Sequence, residues 1–339
     1  MRKGLWLISA LIALSVVLSA CGTKSQEDVT KGLKEKVGNL KGYKATAQMT
    51  LTVGNDPQSY DIDVWHNKPG DYRVHLKNEK KDQSQMILRN KSGVYVVTPA
   101  LNKSYRFQSE WPQNSSQAYL YESLVADVLN DKEAKFKATD DHYVFETKTR
   151  YQNNKMLPSQ EITFRKDTLE PVTVKVMDTN HNPVMTVEFS KVDFNAKFDK
   201  DAFETEKNMT SAQMEVPVLA NSNKGDFTVK YVMADIPNVS LADEKEMETD
   251  NGKRIILTYG GDKSFTLFQE QARVVPATSM KMIEVEDGEM VDLGASVGVM
   301  TEQSVTWSEN GVDYMLVSND LTPDEMVMAA KSVQAGTEK

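Results

Sequence analysis

The sequence predicts an α+β fold dominated by antiparallel sheet, with a few covering helices and a smaller α+β domain after it. Three observations carry this expectation. Apolar and polar residues alternate with a period of two in a long series of segments from Tyr43 onward. Short turn signals join consecutive segments, which fits hairpins and leaves no room for the crossovers that parallel strands need. A polar stretch, residues 207–226, then separates this series from a second set of strands and a final helix.

Residues 1–20 stand apart from the fold. Met1-Arg2-Lys3 is a positive head, and Gly4 to Ala20 carries no charge. That run of about 17 residues is shorter than the roughly 20 that span a hydrocarbon core as a helix. A charged head, an apolar centre and small terminal residues describe a signal peptide, to be set aside before fold reasoning. Leu18-Ser19-Ala20-Cys21 matches the bacterial lipobox, and Cys21 is the single cysteine of the 339 residues. The reading is a lipoprotein signal peptide over 1–20, with the Cys21 thiol receiving diacylglycerol and becoming the first residue after cleavage. A thiolate can attack such a donor, whereas Ser or Ala cannot. Two or more acyl chains then hold a protein on a membrane far better than one. Residues 21–25 are the lipid-anchored tether.

The elements follow in order over residues 26–206. Ser25-Gln26-Glu27-Asp28 is a capping box that opens an amphipathic helix, with Val29, Leu33, Val37 and Leu40 along one stripe. Tyr43, Ala45, Ala47, Met49, Leu51 and Val53 then alternate with Lys44, Thr46, Gln48, Thr50 and Thr52, a long strand with one apolar face. After the turn at Gly54-Asn55-Asp56-Pro57, Tyr60, Ile62 and Val64 resume the alternation. Asn67-Lys68-Pro69-Gly70 is expected to turn as type II, and Tyr72, Val74 and Leu76 follow it. Strands are expected at Gln85–Arg89, Val94–Thr98 and Ser104–Gln108, then a helix over Ser116–Leu129. Four more strands follow: His142–Thr147, Glu161–Arg165, Pro171–Asp178 and Val184–Phe189. Residues 207–226 read as a linker.

Residues 227–339 form the second domain. Strands are expected at Phe227–Val232, Arg254–Tyr259 and Phe265–Gln269, then a hairpin around Glu309-Asn310-Gly311. Thr322-Pro323-Asp324-Glu325 combines an N-cap, Pro at the first helical position and a capping-box glutamate, and opens the last helix.

Composition narrows the function. The formal charge is −9, and loss of Arg2 and Lys3 with the leader takes it to about −11. An acidic chain with no basic block argues against nucleic acid and against electrostatic adhesion to anionic lipid. With Cys21 committed to lipid, neither a disulfide nor a cysteine-ligated metal is available. The histidines, His66, His75, His142 and His181, lack metal-ligand spacing and read as surface or strand residues. No GxSxG, Walker loop or GxGxxG occurs. The acidic run Asp243-Glu244-Lys245-Glu246 with Glu248 and Asp250 reads as a solvated face or loop. The cluster Glu284 to Asp292 fails the spacing of a calcium loop, and Glu286-Asp287-Gly288 reads as a turn. The expectation is a protein without catalysis, metal or cofactor.

Against this reading, the order of elements and the segments Asp63–Leu76 (DVWHNKPGDYRVHL) and Glu161–Glu204 resemble the LolA-type lipoprotein-carrier fold. The resemblance covers about residues 26–206. It implies an unclosed antiparallel half-barrel around an apolar groove, covered by helices, that takes acyl chains of lipoproteins or lipids. On that basis Ala45, Ala47, Met49, Leu51, Ile62, Val64, Val74 and Leu76 are candidate groove-lining residues. The alternation alone is equally served by a dry, filled core. Arg73, after the Lys-Pro-Gly turn, matches the carrier arginine that latches the lid; a solvent-facing strand arginine is the alternative. The tether at Cys21 and the added second domain are similar to the two-domain LolA-like lipoproteins of spore-forming Gram-positive bacteria, the YdcC type. That family implies a place on the outer face of the cytoplasmic membrane and a link to sporulation. Two partners are expected: a lipid or lipoprotein acyl chain, and a membrane protein docked by the second domain. The second expectation resembles RseB-type regulators. An envelope scaffold with an empty groove is the third reading.

Overall fold

A computed structural model describes residues 24–335 apart from 53–56, 79–82, 110, 113–114, 152–154, 216–226, 250–251, 273–280, 286–287 and 295. The signal segment, Cys21 and the turn from Val53 to Asp56 lie outside the described residues.

Helix α1 (Gln26–Asn39) begins at the expected capping box. The Ser25 hydroxyl accepts from the Asp28 amide, and the Asp28 carboxylate accepts from the Ser25 amide at 3.1 Å. Eleven strands follow, interrupted by one helix: β1 (Gly42–Leu51), β2 (Gln58–Asn67), β3 (Asp71–Asn78), β4 (Gln83–Asn90), β5 (Gly93–Thr98), β6 (Lys103–Phe107), helix α2 (Tyr121–Asn130), β7 (Lys135–Ala138), β8 (His142–Lys148), β9 (Ser159–Arg165), β10 (Pro171–Met177) and β11 (Pro183–Asp193). Strands β1–β6 make one antiparallel meander and β7–β11 another. The long β1 joins them by pairing with β2 on one side and β11 on the other.

Helix α3 (Thr205–Glu215) comes next, and it occupies the start of the expected linker. Asn208 donates to the carbonyls of Ala202 and Glu204, and Asn90 donates to the Phe203 carbonyl and Thr205 hydroxyl. These side-chain bonds hold the helix start to the first sheet, which polar composition alone did not reveal. The remainder of the chain forms β12 (Lys230–Val232), β13 (Val239–Thr249), β14 (Gly252–Gly261), β15 (Phe265–Gln271), β16 (Lys281–Val285), β17 (Glu289–Asp292), β18 (Val297–Met300), β19 (Ser304–Glu309), β20 (Val312–Val317), α4 (Pro323–Lys331) and β21 (Val333–Ala335). Seven of these build a sheet in the order β13-β14-β15-β20-β19-β18-β17. Helix α4 buries Met326, Val327, Ala329 and Ala330 into the core of this sheet. Asn310 and Gly311 both take positive φ, as the tight β19–β20 hairpin requires.

The division at residue 227 is crossed by one strand. β16 leaves the second sheet and pairs in parallel with β6, so the first sheet has twelve strands, running from β16 through β6 and β1 to β7. Its two end strands, β16 and β7, do not pair with each other, and the sheet is unclosed. Gln85 of β4 ties the two sheets further. Its carbonyl accepts from the Val297 amide at 2.8 Å, and its amide lies 3.4 Å from the Val297 carbonyl. Lys103 and Asp313 pair at 2.8 Å, while Met290 and Val297 enter the core of the first sheet.

Local expectations differ from the structure in four further places. The Lys68–Pro69 peptide is cis and Gly70 does not take positive φ, so the turn there is not type II. Helix α2 begins at Tyr121, because the Ser116 hydroxyl and the Gln117 amide donate to the side chains of Asp127 and Ser123 within the helix and so stay outside its backbone ladder. β7 was hidden by its length of 4 residues. The acidic run near Asp243 is solvated but forms a strand, β13.

Candidate functional site

The inner face of the twelve-stranded sheet is assembled by strand parity. Ala45, Val64, Val74, Ile87 and Val96 stand opposite one another across β1 to β5. The next row runs through Ala47, Ile62 and Leu76. Met49 continues into the other meander through Val187, Val174, Ile162 and Phe145. Residues directly opposite in an antiparallel pair share a face, so these rows form one apolar surface. All eight candidate groove residues, Ala45, Ala47, Met49, Leu51, Ile62, Val64, Val74 and Leu76, are buried in a single core. Leu120, Leu124, Val125 and Val128 of the α2 segment and Val29 and Leu33 of α1 lie in the same core. The inner face is therefore covered, with α2 as its lid.

Two carboxylates on α2 fasten that lid. Glu122, in the first turn, places one oxygen 2.8 Å from His66 Nε2 and accepts from the Tyr43 hydroxyl at 3.1 Å with the other. A negative charge at this end is favoured by the helix dipole. The Tyr43 hydroxyl in turn accepts from the Tyr121 amide at 3.1 Å. His66 Nδ1 lies 3.0 Å from the Asp71 carbonyl, so both ring nitrogens face acceptors. Its ring stacks on Tyr72 with centroids 4.2 Å apart. Burial, and then the charge of Glu122, push the Tyr43 phenol well above its ordinary range. The phenol stays protonated and keeps donating.

The second anchor is Asp127, one and a half turns later and fully buried at its side chain. One oxygen accepts from Ser116 Oγ at 2.8 Å and Gln160 Nε2 at 2.7 Å. The other accepts from Arg150 Nε, while the Arg150 amide donates to Ser116 Oγ at 2.7 Å. Ser123 completes the group by accepting from the Gln117 amide and the Arg150 guanidinium. Both oxygens of Asp127 thus have donors, the condition for burying a charge at tolerable cost.

Arg73 is not part of either anchor. On β3, Tyr72, Val74 and Leu76 point inward, so Arg73 points to the opposite face of the sheet. There it donates to Asp63 at 3.0 Å and lies 4.5 Å from the centre of the Trp65 ring. Trp65 packs with Phe198, which closes a small outer cluster with Phe203 and Leu88. The expected contact of Arg73 with the lid is thus corrected: the side chains that bond the α2 carboxylates are His66, Tyr43 and Arg150. Sequence reasoning missed these because their partners lie 56, 79 and 23 positions away. Cys21 lies outside the described residues. Among the described residues, no group of His, Cys, Asp and Glu could hold a metal ion, and no helix is long and apolar enough to cross a membrane.

A family model described as sporulation protein YdcC-like matches residues 1–203. The sporulation protein YdcC of Bacillus subtilis (strain 168) is 51% identical over 333 residues, covering 98% of this chain and 97% of that protein. Among solved structures, a crystal structure of MucB is similar at a TM-score of 0.37 and 13% identity, over 93% of this chain and 100% of that one. A LolA superfamily protein from Nitrosomonas europaea is similar at a TM-score of 0.30 and 12% identity, over 52% and 98%. The structural likenesses are loose, and the assignment stands on the sequence relatives. This chain belongs to the YdcC-like family of sporulation proteins.

Proposed function

We propose that the chain is a binding protein of the sporulating cell's envelope, held by a lipid on Cys21 to the outer face of the cytoplasmic membrane, that takes up an acyl chain. It has no catalytic role in this reading. The observation that supports it best is the continuous apolar inner face of an unclosed sheet, covered in part by α2, which is fastened at two discrete polar points. Ala45 and Ala47 put small side chains at the centre of that face. Release of α2 would open part of this face to a hydrocarbon chain without unpairing any strand. The acyl chain would replace the side chains of Leu120, Leu124 and Val128.

Native mass spectrometry on residues 22–339, purified without detergent, tests this reading. A discrete added mass that extracts as an acylated molecule is the expected result. A bare protein that also ignores added fatty-acid probes would overturn it. Leu51→Glu supplies the control, since a well-folded variant with unchanged uptake would place the ligand elsewhere.

A second reading, docking of a partner protein by residues 227–335, is favoured by a separate observation. Met233 and Leu241 are exposed, and Leu241 lines a groove of about 210 Å³ together with Val232, Ser240 and Phe265 among others.

A further inference from the structure

The second sheet ends in a strand that gains little from its own fold. β13 is 11 residues long, lies at the edge of the seven-stranded sheet and is exposed on both faces from Ser240 to Glu248. Among the described residues it pairs along its length with β14 on one side only. At about 3.4 Å per residue it offers an edge more than 30 Å long, to which no described strand pairs.

Register specifies what the two faces carry. A bulge between Leu241 and Asp243 brings Leu241 opposite Tyr259, Glu244 opposite Leu257, Glu246 opposite Ile255 and Glu248 opposite Lys253. Leu241 and the three glutamates therefore share the face on which Tyr259, Leu257 and Ile255 are buried. Asp243, Lys245 and Met247 take the other face. Three glutamates at every second position thus project from the strand, and Leu241 begins the row at the groove beside β12. Glu246 has a local partner in Lys253 at 2.7 Å, and Glu244 accepts from the Tyr231 hydroxyl at 3.1 Å.

We infer that β13 is the docking edge for an extended, basic segment of a partner protein, which adds beside it as an eighth strand. This deepens the partner-docking reading and rests on it. The segment carries Lys or Arg at alternate positions opposite Glu244, Glu246 and Glu248, and an apolar residue that enters the groove near Leu241. Opposite charges directly across a strand pair are favourable and like charges are not. The same rule disfavours a second copy of this chain, because pairing of two β13 edges sets glutamate against glutamate. Charged side chains on an edge also discourage unwanted pairing, and that role alone predicts a different outcome below.

The test uses the full chain in a neutral detergent and a fluorescent peptide about eight residues long, with lysine at alternate positions and leucine at its C-terminus. Anisotropy gives affinity, and hydrogen exchange gives location. Saturable binding with new amide protection in residues 239–249 is expected. Combined substitution Glu244→Lys and Glu248→Lys, at exposed positions that leave the fold intact by circular dichroism, should weaken it about tenfold or more. A version with alternate backbone amides methylated should not bind. Equal binding of the methylated peptide would mean adsorption by charge alone and overturn the proposal. Protection confined to other parts of residues 227–335 would also overturn it while leaving a docking role for that region. No binding at about millimolar peptide would leave the acidic edge as a guard against pairing and overturn the proposal as well.

Discussion

Replacing Asp127 by alanine should loosen the lid by a calculable amount. The carboxylate is fully buried and accepts from Ser116, Gln160 and Arg150. Removal of one member of a buried ion pair costs about 3–5 kcal/mol, because the partner's charge is left without compensation. Arg150 is 30% exposed at its side chain, so water can reach part of its guanidinium and the lower end of that range applies. Gln160 has no such recourse, and its buried amide adds about 1 kcal/mol when orphaned. The sum, about 4 kcal/mol, is a large part of the roughly 5–15 kcal/mol that holds a domain folded. Urea unfolding measures it as a fall in midpoint at constant slope. Asp127→Asn keeps an acceptor in place and should lose about half as much. If the lid opens before the sheet does, Asp127→Ala should also speed entry of a fluorescent fatty acid while near-ultraviolet circular dichroism stays native. A loss below about 1 kcal/mol would refute the assignment of Asp127 as an anchor.

Other expectations follow from single contacts. Gln85→Ala leaves the Val297 amide unpaired between the two sheets and should cost about 1–3 kcal/mol, read as a lower thermal midpoint with greater protease sensitivity near β17 and β18. Burial pushes the phenols of Tyr43, Tyr119 and Tyr151 well above the ordinary range. These groups release protons more readily unfolded than folded, so stability should be level below about pH 10 and fall as pH rises beyond it. Phenolate absorbance that rises together with loss of structure would bear this out, whereas phenolates formed in a native fold would contradict it. Cys21→Ser should leave the protein unprocessed or free of acyl lipid. A cleaved, membrane-bound form of that variant would count against the lipobox.

Much of this molecule is written in short-range patterns. The period-two alternation of β1, β2 and β3 decides which side chains face inward, because successive side chains leave a strand on opposite sides. It placed Ala45, Met49, Val64 and Val74 together, and the same parity already sets Arg73 on the far face, against the lid contact that resemblance suggested. Capping boxes at Ser25 and Thr322 mark helix starts, since their bonds close within one turn. The Asn310-Gly311 turn is equally local. Tertiary structure decided the rest, and in each case the deciding bond joins residues remote in sequence. The meanders meet where β1 finds β11, and β16 crosses to β6. Glu122 and Asp127 become anchors only when the fold brings His66, Tyr43 and Arg150 against them. β13 shows the limit most clearly. With both faces in water its sequence has no alternation to display, and only backbone pairing with β14 makes it a strand.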